Sequence, residues 1–562
     1  MEIAGEDSFR IRSYRNAATA VDGLPERVAD ILRDPARSIT DVPGIGKGIA
    51  AVLQEILARG SFERRDVLLA KYPPTVLEML KIQGLGPKSI ALIIEHYRAT
   101  TIDALERLCQ EQKLRLLPRM GARLEEKVLR SIAQYRQRNG RYLLSYATEI
   151  AAELSAYMEE SGLFERVTAA GSLRRARETV GDLDMLVTCA NPAPALERFL
   201  SHPRVGEVLA TGGNKASARI GAEGLQVDVR ALPAASYGAA LQYFTGSKEH
   251  SVVLRTRALK MGLTLSEYGL ARLDDNSLVA GETEEEIYER LGLAWIPPEL
   301  RENQGEIEAA EEGRLPKLIE EGDIQGDLHM HTTETDGRAT LEEMAAAARD
   351  RGYSYIAVTD HSKALAMANG LDEKRVVEHA RRVRDINKRG NLGIHVFSGI
   401  ECDIRRDGSM DLEDDALAAL DLVIASVHSY LNIEGAEMTD RLLRCLECPH
   451  VRILGHPTGR MLLHRDPFPF DFDRVAADAS RRGVWFEINS SPERLDLGST
   501  HVRTARAKGA RFTVSTDAHH PKHLAHMTFG VRTARRGWLE KADVLNTLPL
   551  DKFRAALRGR TP

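Results

Sequence analysis

Cysteine is scarce in this chain: five residues in 562 (Cys109, Cys189, Cys402, Cys445 and Cys448), odd in number and scattered. That spacing excludes a disulfide framework as what holds the fold. Cys445 and Cys448 form a lone C-x-x-C with no second pair, so they read as two small residues of an apolar helix. Long apolar runs are also missing. No stretch is long enough to cross a bilayer and none near the N-terminus reads as a signal peptide, so the expectation is a cytoplasmic chain without a membrane partner. Excess basic charge is absent too, the formal net charge being −5. This excludes a wholly basic nucleic-acid binder but not DNA binding, because affinity follows local clusters of Lys and Arg. What is present is ordinary for a globular protein, 43% hydrophobic and 28% charged residues, and the length calls for three or four domains.

A motif recurs in the Arg-rich, helical first 140 residues. Asp41-Val42-Pro43-Gly44-Ile45-Gly46-Lys47 precedes an apolar periodicity at Ile49, Val52, Leu53 and Ile56. Ile82-Gln83-Gly84-Leu85-Gly86-Pro87-Lys88 precedes a second at Ile90, Leu92, Ile93 and Ile94, and Leu117-Pro118-Arg119-Met120-Gly121 is a weaker third copy. Each copy is a Gly turn feeding a helix N-terminus. The two strong copies resemble the helix-hairpin-helix, in which glycines let backbone N–H groups approach a DNA phosphate. Gly44, Gly46, Gly84 and Gly86 are the expected contacts, and such contacts read backbone rather than base. Upstream, Phe9-Arg10-Ile11-Arg12-Ser13-Tyr14-Arg15 interleaves arginines with aromatic rings, which suits a DNA end as well as a solvated helix face.

Beyond residue 140 the texture becomes alternating strands and helices. Gly171-Ser172-Leu173-Arg174-Arg175 is followed by Val180-Gly181-Asp182-Leu183-Asp184-Met185-Leu186-Val187. Strand alternation turns Leu183, Met185 and Val187 to a core and puts Asp182 and Asp184 on the other face. Adjacent carboxylates repel unless a cation neutralises them, and hard Mg²⁺ ions suit oxygen donors. A third carboxylate, Asp228, sits in the strand-like Leu225–Arg230. Three such groups on neighbouring strands can hold two metals for nucleotidyl transfer.

At these residues the chain resembles the nucleotidyltransferases, and specifically the DNA polymerase X (polymerase β-like) family, over residues 1–300. The likeness continues through Tyr243-Phe244-Thr245-Gly246-Ser247 and Leu265-Ser266-Glu267-Tyr268-Gly269. It implies that Asp182, Asp184 and Asp228 are the catalytic metal ligands. It also implies that Ser172, Arg175, Gly181, Tyr243, Phe244 and Gly246 bind the incoming nucleotide, and that Arg255 tracks the template. Two departures stand out: Ser251 where relatives often carry Asn, and an N-terminus that begins inside the family's first helix.

Further on, Asp327-Leu328-His329-Met330-His331, Asp336, Thr359-Asp360-His361, Glu401, His428, His456 and Asp517-Ala518-His519 recur, mostly just after short apolar β runs. In an α/β barrel the strand ends converge at one mouth. His-x-His puts both imidazoles on one strand face, and mixed N/O ligation suits Zn²⁺ or Mn²⁺. This set resembles the PHP (polymerase and histidinol phosphatase) domain over residues 324–562. The resemblance implies that His329, His331, Asp336, His361, Glu401, His428, His456, Asp517 and His519 ligate three ions. His464, His501 and the His520–His526 run fall outside the pattern.

The expected fold is multidomain, α followed by α/β. Residues 1–140 form a helix-hairpin-helix region (8-kDa-like and fingers-like), and 141–300 a nucleotidyltransferase mixed sheet with palm and dNTP-binding parts. An acidic linker spans 301–323, and 324–562 a distorted α/β (PHP) barrel. The expected function is a gap-filling DNA polymerase using Mg²⁺, with a 3′–5′ exonuclease using Mn²⁺ or Zn²⁺. Its partners would be gapped or primer-template DNA and dNTPs, and it would act as a monomer. A small-molecule phosphatase or nucleotidyltransferase, and a DNA-end scaffold with dead sites, are the rival readings. The hairpins weigh against the first, and the intact carboxylates and ligand set against the second.

Overall fold

A computed structural model describes all residues except 23–27, 35–36, 43, 74, 83, 119, 222 and 560–562. Pro43, Gln83 and Arg119 of the hairpin copies therefore lie outside the described residues. The chain divides into two compact units, Met1–Gly140 and Arg141–Pro562.

The first unit is helical. Lys47–Arg59 and Pro87–Tyr97 start at the expected turns, each with a glycine (Gly46, Gly86) as extended N-cap residue. The first stops at Gly60 in the left-handed conformation, and the second carries Pro87 in its first turn, where a missing N–H costs nothing. Ile90 and Ile93 on the second helix are fully buried among Val76, Met79, Ile82 and Leu105.

The second unit holds two sheets that position the sites. The first has five strands: β1 (Arg166–Ala169), β2 (Leu183–Thr188), β3 (Val205–Gly212), β4 (Lys215–Ile220) and β5 (Leu225–Ala231), in the order β1-β2-β5-β4-β3. It is mixed, since β2 pairs antiparallel with β1 and parallel with β5. Leu183, Met185 and Val187 are fully buried as the alternation requires, and the β2–β5 register sets Asp184 directly beside Asp228.

The second sheet is a parallel series in chain order: β6 (Gly326–Asp327), β7 (Tyr355–Val358), β8 (His395–Asp403), β9 (Leu422–Ser426), β10 (Val451–Leu454), β11 (Trp485–Asn489) and β12 (Phe512–Ser515). Helices such as Leu341–Asp350 connect the strands, that one opened by a Thr340/Glu343 capping box. The chain after β12 returns to the first strand, His331 N–H donating to the Ala518 carbonyl at 2.9 Å, so the barrel nearly closes.

The acidic segment 301–323 does not run free in solvent. Glu306 is fully buried, accepting from His250 Nδ1 (2.7 Å) and from the backbone N–H groups of Asn303 and Gln304. Ile307, Ala310 and Leu318 join the core that holds Leu254 and Ile287. Glu308, Glu311, Glu312, Glu320 and Glu321 are exposed, so the buried Glu306 is the acid that composition alone misreads as solvated. The sheet and the barrel also meet along a seam. Arg532 and Arg536 of the barrel helix Met527–Arg536 donate to the carbonyls of Leu173 and Arg175 at 2.6 Å each, and Arg460 pairs with Glu178 at 2.8 Å. Leu495 of the barrel is buried in the core of the five-stranded sheet. Among the described residues no helix is long and apolar enough to cross a membrane.

Candidate active sites

In the helical unit the two strong hairpins have the same geometry. Gly44 and Gly84 adopt φ of +94° and +96°, a left-handed conformation that side chains disfavour. A Cβ on Gly84 would stand 2.8 Å from Leu124 Cδ1. Gly46 and Gly86 differ from them: a Cβ there would meet nothing within 4 Å. The first glycine of each pair thus shapes the turn, while the second leaves a helix N-terminus open to an anion.

In the five-stranded sheet, Ser172, Arg175, Gly181, Asp182, Asp184, Tyr243, Phe244, Gly246, Ser251 and Arg255 line one cavity of about 450 Å³. Gly171 permits its tightest approach: with φ +60°, a Cβ there would lie 2.9 Å from Asp184 Oδ2. Burial, then the charges of Asp182 and Asp228, push the Asp184 carboxyl up to about 6. Burial also opposes ionisation of Asp228, but hydrogen bonds from Ser217, Lys215 and Gln226 outweigh it and hold that carboxyl below the usual range. Lys215 Nζ is 2.9 Å from Asp228 Oδ2. Arg175 donates to the Thr245 carbonyl and pairs with Glu302 at 3.1 Å. Arg174 makes a two-pronged contact with buried Glu284, which Arg301 also grips at 2.6 Å. The Ser251 hydroxyl is buried without a hydrogen-bond partner. Arg141 and Lys248 line the same cavity. No motif marks either of them in the sequence.

In the barrel, all nine expected residues converge. The donor atoms of seven of them fall into three overlapping groups: His331, Asp336, His361 and His519; His329, His331 and Glu401; His361, Glu401 and His428. His456 Nε2 lies 2.8 Å from Glu401 Oε1, and Asp517 Oδ1 lies 3.1 Å from His331 Nε2. The donor set fits cations. Three imidazole nitrogens (His329 Nε2 and the Nδ1 atoms of His331 and His456) are buried without a hydrogen-bond partner, while His361 Nδ1 and His428 Nδ1 face Glu401 at 2.9 Å and Asp403 at 3.3 Å. Such atoms are costly unless something binds them. The charges are strongly coupled. Burial resists ionisation of Glu401, yet His428, His329 and His361 hold its carboxyl well below the usual range. Burial likewise opposes charging of His361 and His428, but Glu401 with Asp336 or Asp403 pushes them up to about 10 and about 9. His331 moves the other way, to about 4, through burial and the neighbouring His519 and His361.

Sequence reasoning missed the residues behind these ligands. Glu487 on β11 is fully buried, with Oε1 2.7 Å from His329 Nδ1 and Oε2 accepting from the His456 N–H at 2.7 Å. This carboxylate fixes one imidazole ring and the turn that presents another. Asp403 stands 3.3 Å from His428 Nδ1, Asn489 donates to Asp517 at 3.1 Å, and Asp360 accepts from Thr332 N–H and Oγ1. The available signal was a carboxylate inside an otherwise apolar strand, Trp485-Phe486-Glu487-Ile488. Of the histidines outside the pattern, His501 packs on Phe472 with ring centroids 4.4 Å apart. His523 Nδ1 accepts from the His519 N–H at 3.4 Å.

Comparison with known proteins follows this geometry. Family models match at residues 1–62 (helix-hairpin-helix domain), 76–134 (SAM-like helix-hairpin-helix tandem), 240–302 (DNA polymerase beta thumb) and 327–466 (PHP domain). Over 203 residues, 34% of this chain and 75% of the relative, it is 30% identical to a probable phosphatase of Shewanella sp. (strain ANA-3). A ternary complex of Leishmania infantum polymerase beta aligns over 41% of this chain and 98% of its own at 21% identity, with a TM-score of 0.28, too low to bear on the fold. The DNA polymerase/3′-5′ exonuclease PolX of Bacillus subtilis is 35% identical over 559 residues, which is 99% of this chain and 97% of the relative. On that full-length likeness, the chain belongs to the bacterial DNA polymerase X family, with a polymerase β-like part and a C-terminal PHP domain.

Proposed function

We propose that this chain is a DNA-templated DNA polymerase that fills short gaps in DNA repair and removes 3′-terminal nucleotides with its PHP domain. The observation that carries the reading is the coexistence of two acid centres in one chain, the aspartates of the sheet beside a cavity of about 450 Å³ and the nine-residue cage of the barrel.

In the sheet, Asp182, Asp184 and Asp228 are assigned as ligands of Mg²⁺, and the register that sets Asp184 beside Asp228 supports the assignment. Ser172, Arg175, Gly181 and Gly246 would hold the triphosphate, with Tyr243 and Phe244 beside its sugar and Arg255 at the template. Arg175 must leave Glu302 or share it to reach a phosphate. In the barrel, the nine-residue cage is assigned to three Mn²⁺ or Zn²⁺ ions, a count supported by the three ligand groups sharing His331, His361 and Glu401. Divalent cations supply Lewis acidity and lower the pKa of a bound hydroxyl or water. Glu487 keeps the His329 proton on Nδ1, which leaves Nε2 free to ligate. Gly44, Gly46, Gly84 and Gly86 would hold DNA by its backbone. The chain is taken to work on gapped or primer-template DNA as a cytoplasmic monomer.

Primer extension on a one-nucleotide gap tests the reading. With Mg²⁺ and dNTPs the primer should grow by one residue; with Mn²⁺ and no dNTPs it should shorten from its 3′ end. A primer unchanged in both conditions would overturn it.

A further inference from the structure

The barrel carries a second cavity, remote from its metal-binding mouth. It has a volume of about 580 Å³ and lies where His395 begins β8, between the end of the helix Glu373–Arg389 and the last helix, Leu550–Arg558. Glu401 stands six residues further along the same strand, and at ~3.3 Å per residue that places the cavity about 20 Å from the metal cage. Neither catalytic centre contributes a residue to it.

Its lining is one-sided in charge. Arg384, Lys388, Arg452, Arg554 and Arg558 face it, against one carboxylate, Asp421. Asp421 is already committed, accepting from the Ser398 N–H at 2.9 Å and Oγ at 2.7 Å. Backbone carbonyls orient two of the guanidinium groups, those of Arg384 and Arg452. Arg452 donates to Leu557 and Pro449 carbonyls (3.1 and 2.7 Å), and Arg384 to Ala419 (3.2 Å). Arg554 Nη2 sits 3.2 Å from His395 Nδ1, while its ion pair with Asp551 spans 3.6 Å to a residue turned out to solvent. Lys388 has a loose 3.7 Å contact with Asp385. Burial and the Arg554 charge push His395 down to about 4, so its ring is neutral. Converging like charges raise the energy of an empty site and are relieved by an anion. Phe397, Ala418, Leu420 and Leu557 line the cavity beside the cations as its apolar part. The volume falls within the range of small-ligand sites, roughly 300–1,000 Å³.

We propose that this cavity binds the phosphate of a nucleotide, with guanidinium groups on the phosphate and the apolar part of the lining under the base or sugar. Phosphate matches the planar, multi-donor geometry of several arginines. The phosphate could belong to a free nucleoside monophosphate or to a phosphorylated DNA end.

Photolabelling of the full-length protein with 8-azido-2′-deoxyadenosine 5′-monophosphate, with labelled peptides mapped by mass spectrometry, tests this. Saturable labelling is expected between residues 384 and 397 or 552 and 559. It should be competed by dAMP but not by deoxyadenosine, which lacks the phosphate. Arg384→Ala with Arg554→Ala should cut that labelling about tenfold or more, as charge-assisted hydrogen bonds are lost. Asp182→Ala should leave it unchanged. The milder pair Lys388→Ala and Arg558→Ala, both at exposed positions, should reduce it if the double arginine variant does not fold. Competition by dAMP alone assigns the site to free nucleotide, and competition by a 5′-phosphorylated but not an unphosphorylated oligonucleotide assigns it to DNA ends. Labelling confined to the two catalytic centres, equal competition by deoxyadenosine, or indifference to the charge variants would overturn the proposal.

Discussion

The sheet sets Asp182 and Asp184 on an open cavity, with Asp228 beside Asp184 and paired to Lys215, whereas the barrel packs imidazoles and carboxylates into a largely buried cage. The aspartates offer hard oxygen donors to cations that can come and go with a nucleotide. The cage offers mixed nitrogen and oxygen donors from seven strand ends and loops, most of them buried. Burial and acid repulsion therefore show up in different places. In the sheet they stay on one group, Asp184, pushed up to about 6. In the barrel they are offset by histidines, and Glu401 and Asp517 are held well below the ordinary range. One centre is built to exchange cations and the other to keep them.

The largest effects should separate the two centres. Asp182→Ala or Asp228→Ala is expected to lower dNTP incorporation by roughly a thousandfold or more, since several kcal/mol of charge stabilisation is lost. Mn²⁺-dependent 3′ shortening should persist in the same protein. Loss of both activities in a folded variant would merge the two centres into one. The converse change, His329→Ala with His331→Ala, should strip tightly bound transition metal and nuclease activity while gap filling continues. Elemental analysis of the purified protein reads the first half of that statement directly.

A smaller change sharpens the contrast in retention. Glu487→Gln keeps the shape behind His329 and His456 but removes the charge, and should weaken metal binding by about 10–100-fold. Polymerisation serves as the internal control. Nuclease activity unchanged at limiting Mn²⁺ would return Glu487 to a purely packing role.

The pH dependence of metal uptake by chelated protein should differ in kind. A proton occupies Asp184 below about 6, so Mg²⁺ affinity in the sheet should rise with pH up to that point and then level off. In the cage His361 and His428 hold protons until about 10 and about 9, so Mn²⁺ uptake should keep strengthening between pH 7 and 9 and release protons as it proceeds. Calorimetry in buffers of different ionisation enthalpy would measure that release, and identical pH profiles at the two sites would contradict it.

The smallest expected effect concerns DNA grip outside both centres. Gly46→Val meets open space, so the fold should persist while binding to gapped DNA weakens several-fold on all sequences. Gly44→Ala acts differently: its φ of +94° makes it a stability change of about 1 kcal/mol. Equal affinity of Gly46→Val and the parent would leave the turns with a structural role only.

Much of this was legible because the chemistry is local in sequence. Asp182 and Asp184 announce a shared face by spacing two apart, and His329 with His331 do the same in front of a short strand. The tandem G-x-G turns carry their own conformational logic. What stayed hidden acts across long separations. Glu487 reaches His329 over 158 residues, and Lys215 reaches Asp228 only because two strands pair in one register. Glu306 looks solvated in an acidic stretch until folding brings His250 beneath it. The basic cavity at the far end of the barrel draws on five separate segments, so no window of sequence contains it.

The seam between sheet and barrel bears on how such a gene can be recombined. The carbonyls of Leu173 and Arg175, at the turn beside the cavity that Asp182 and Asp184 line, are capped by Arg532 and Arg536 from a helix near the other end of the coding sequence. A crossover near residue 324 would pair this sheet with a foreign barrel whose helix lacks those guanidiniums at that spacing. Two carbonyls and the apolar pocket filled by Leu495 would lose their partners in a single event. The two halves are thus inherited most safely together, and a change in the arginines of one calls for a matching change in the turn of the other.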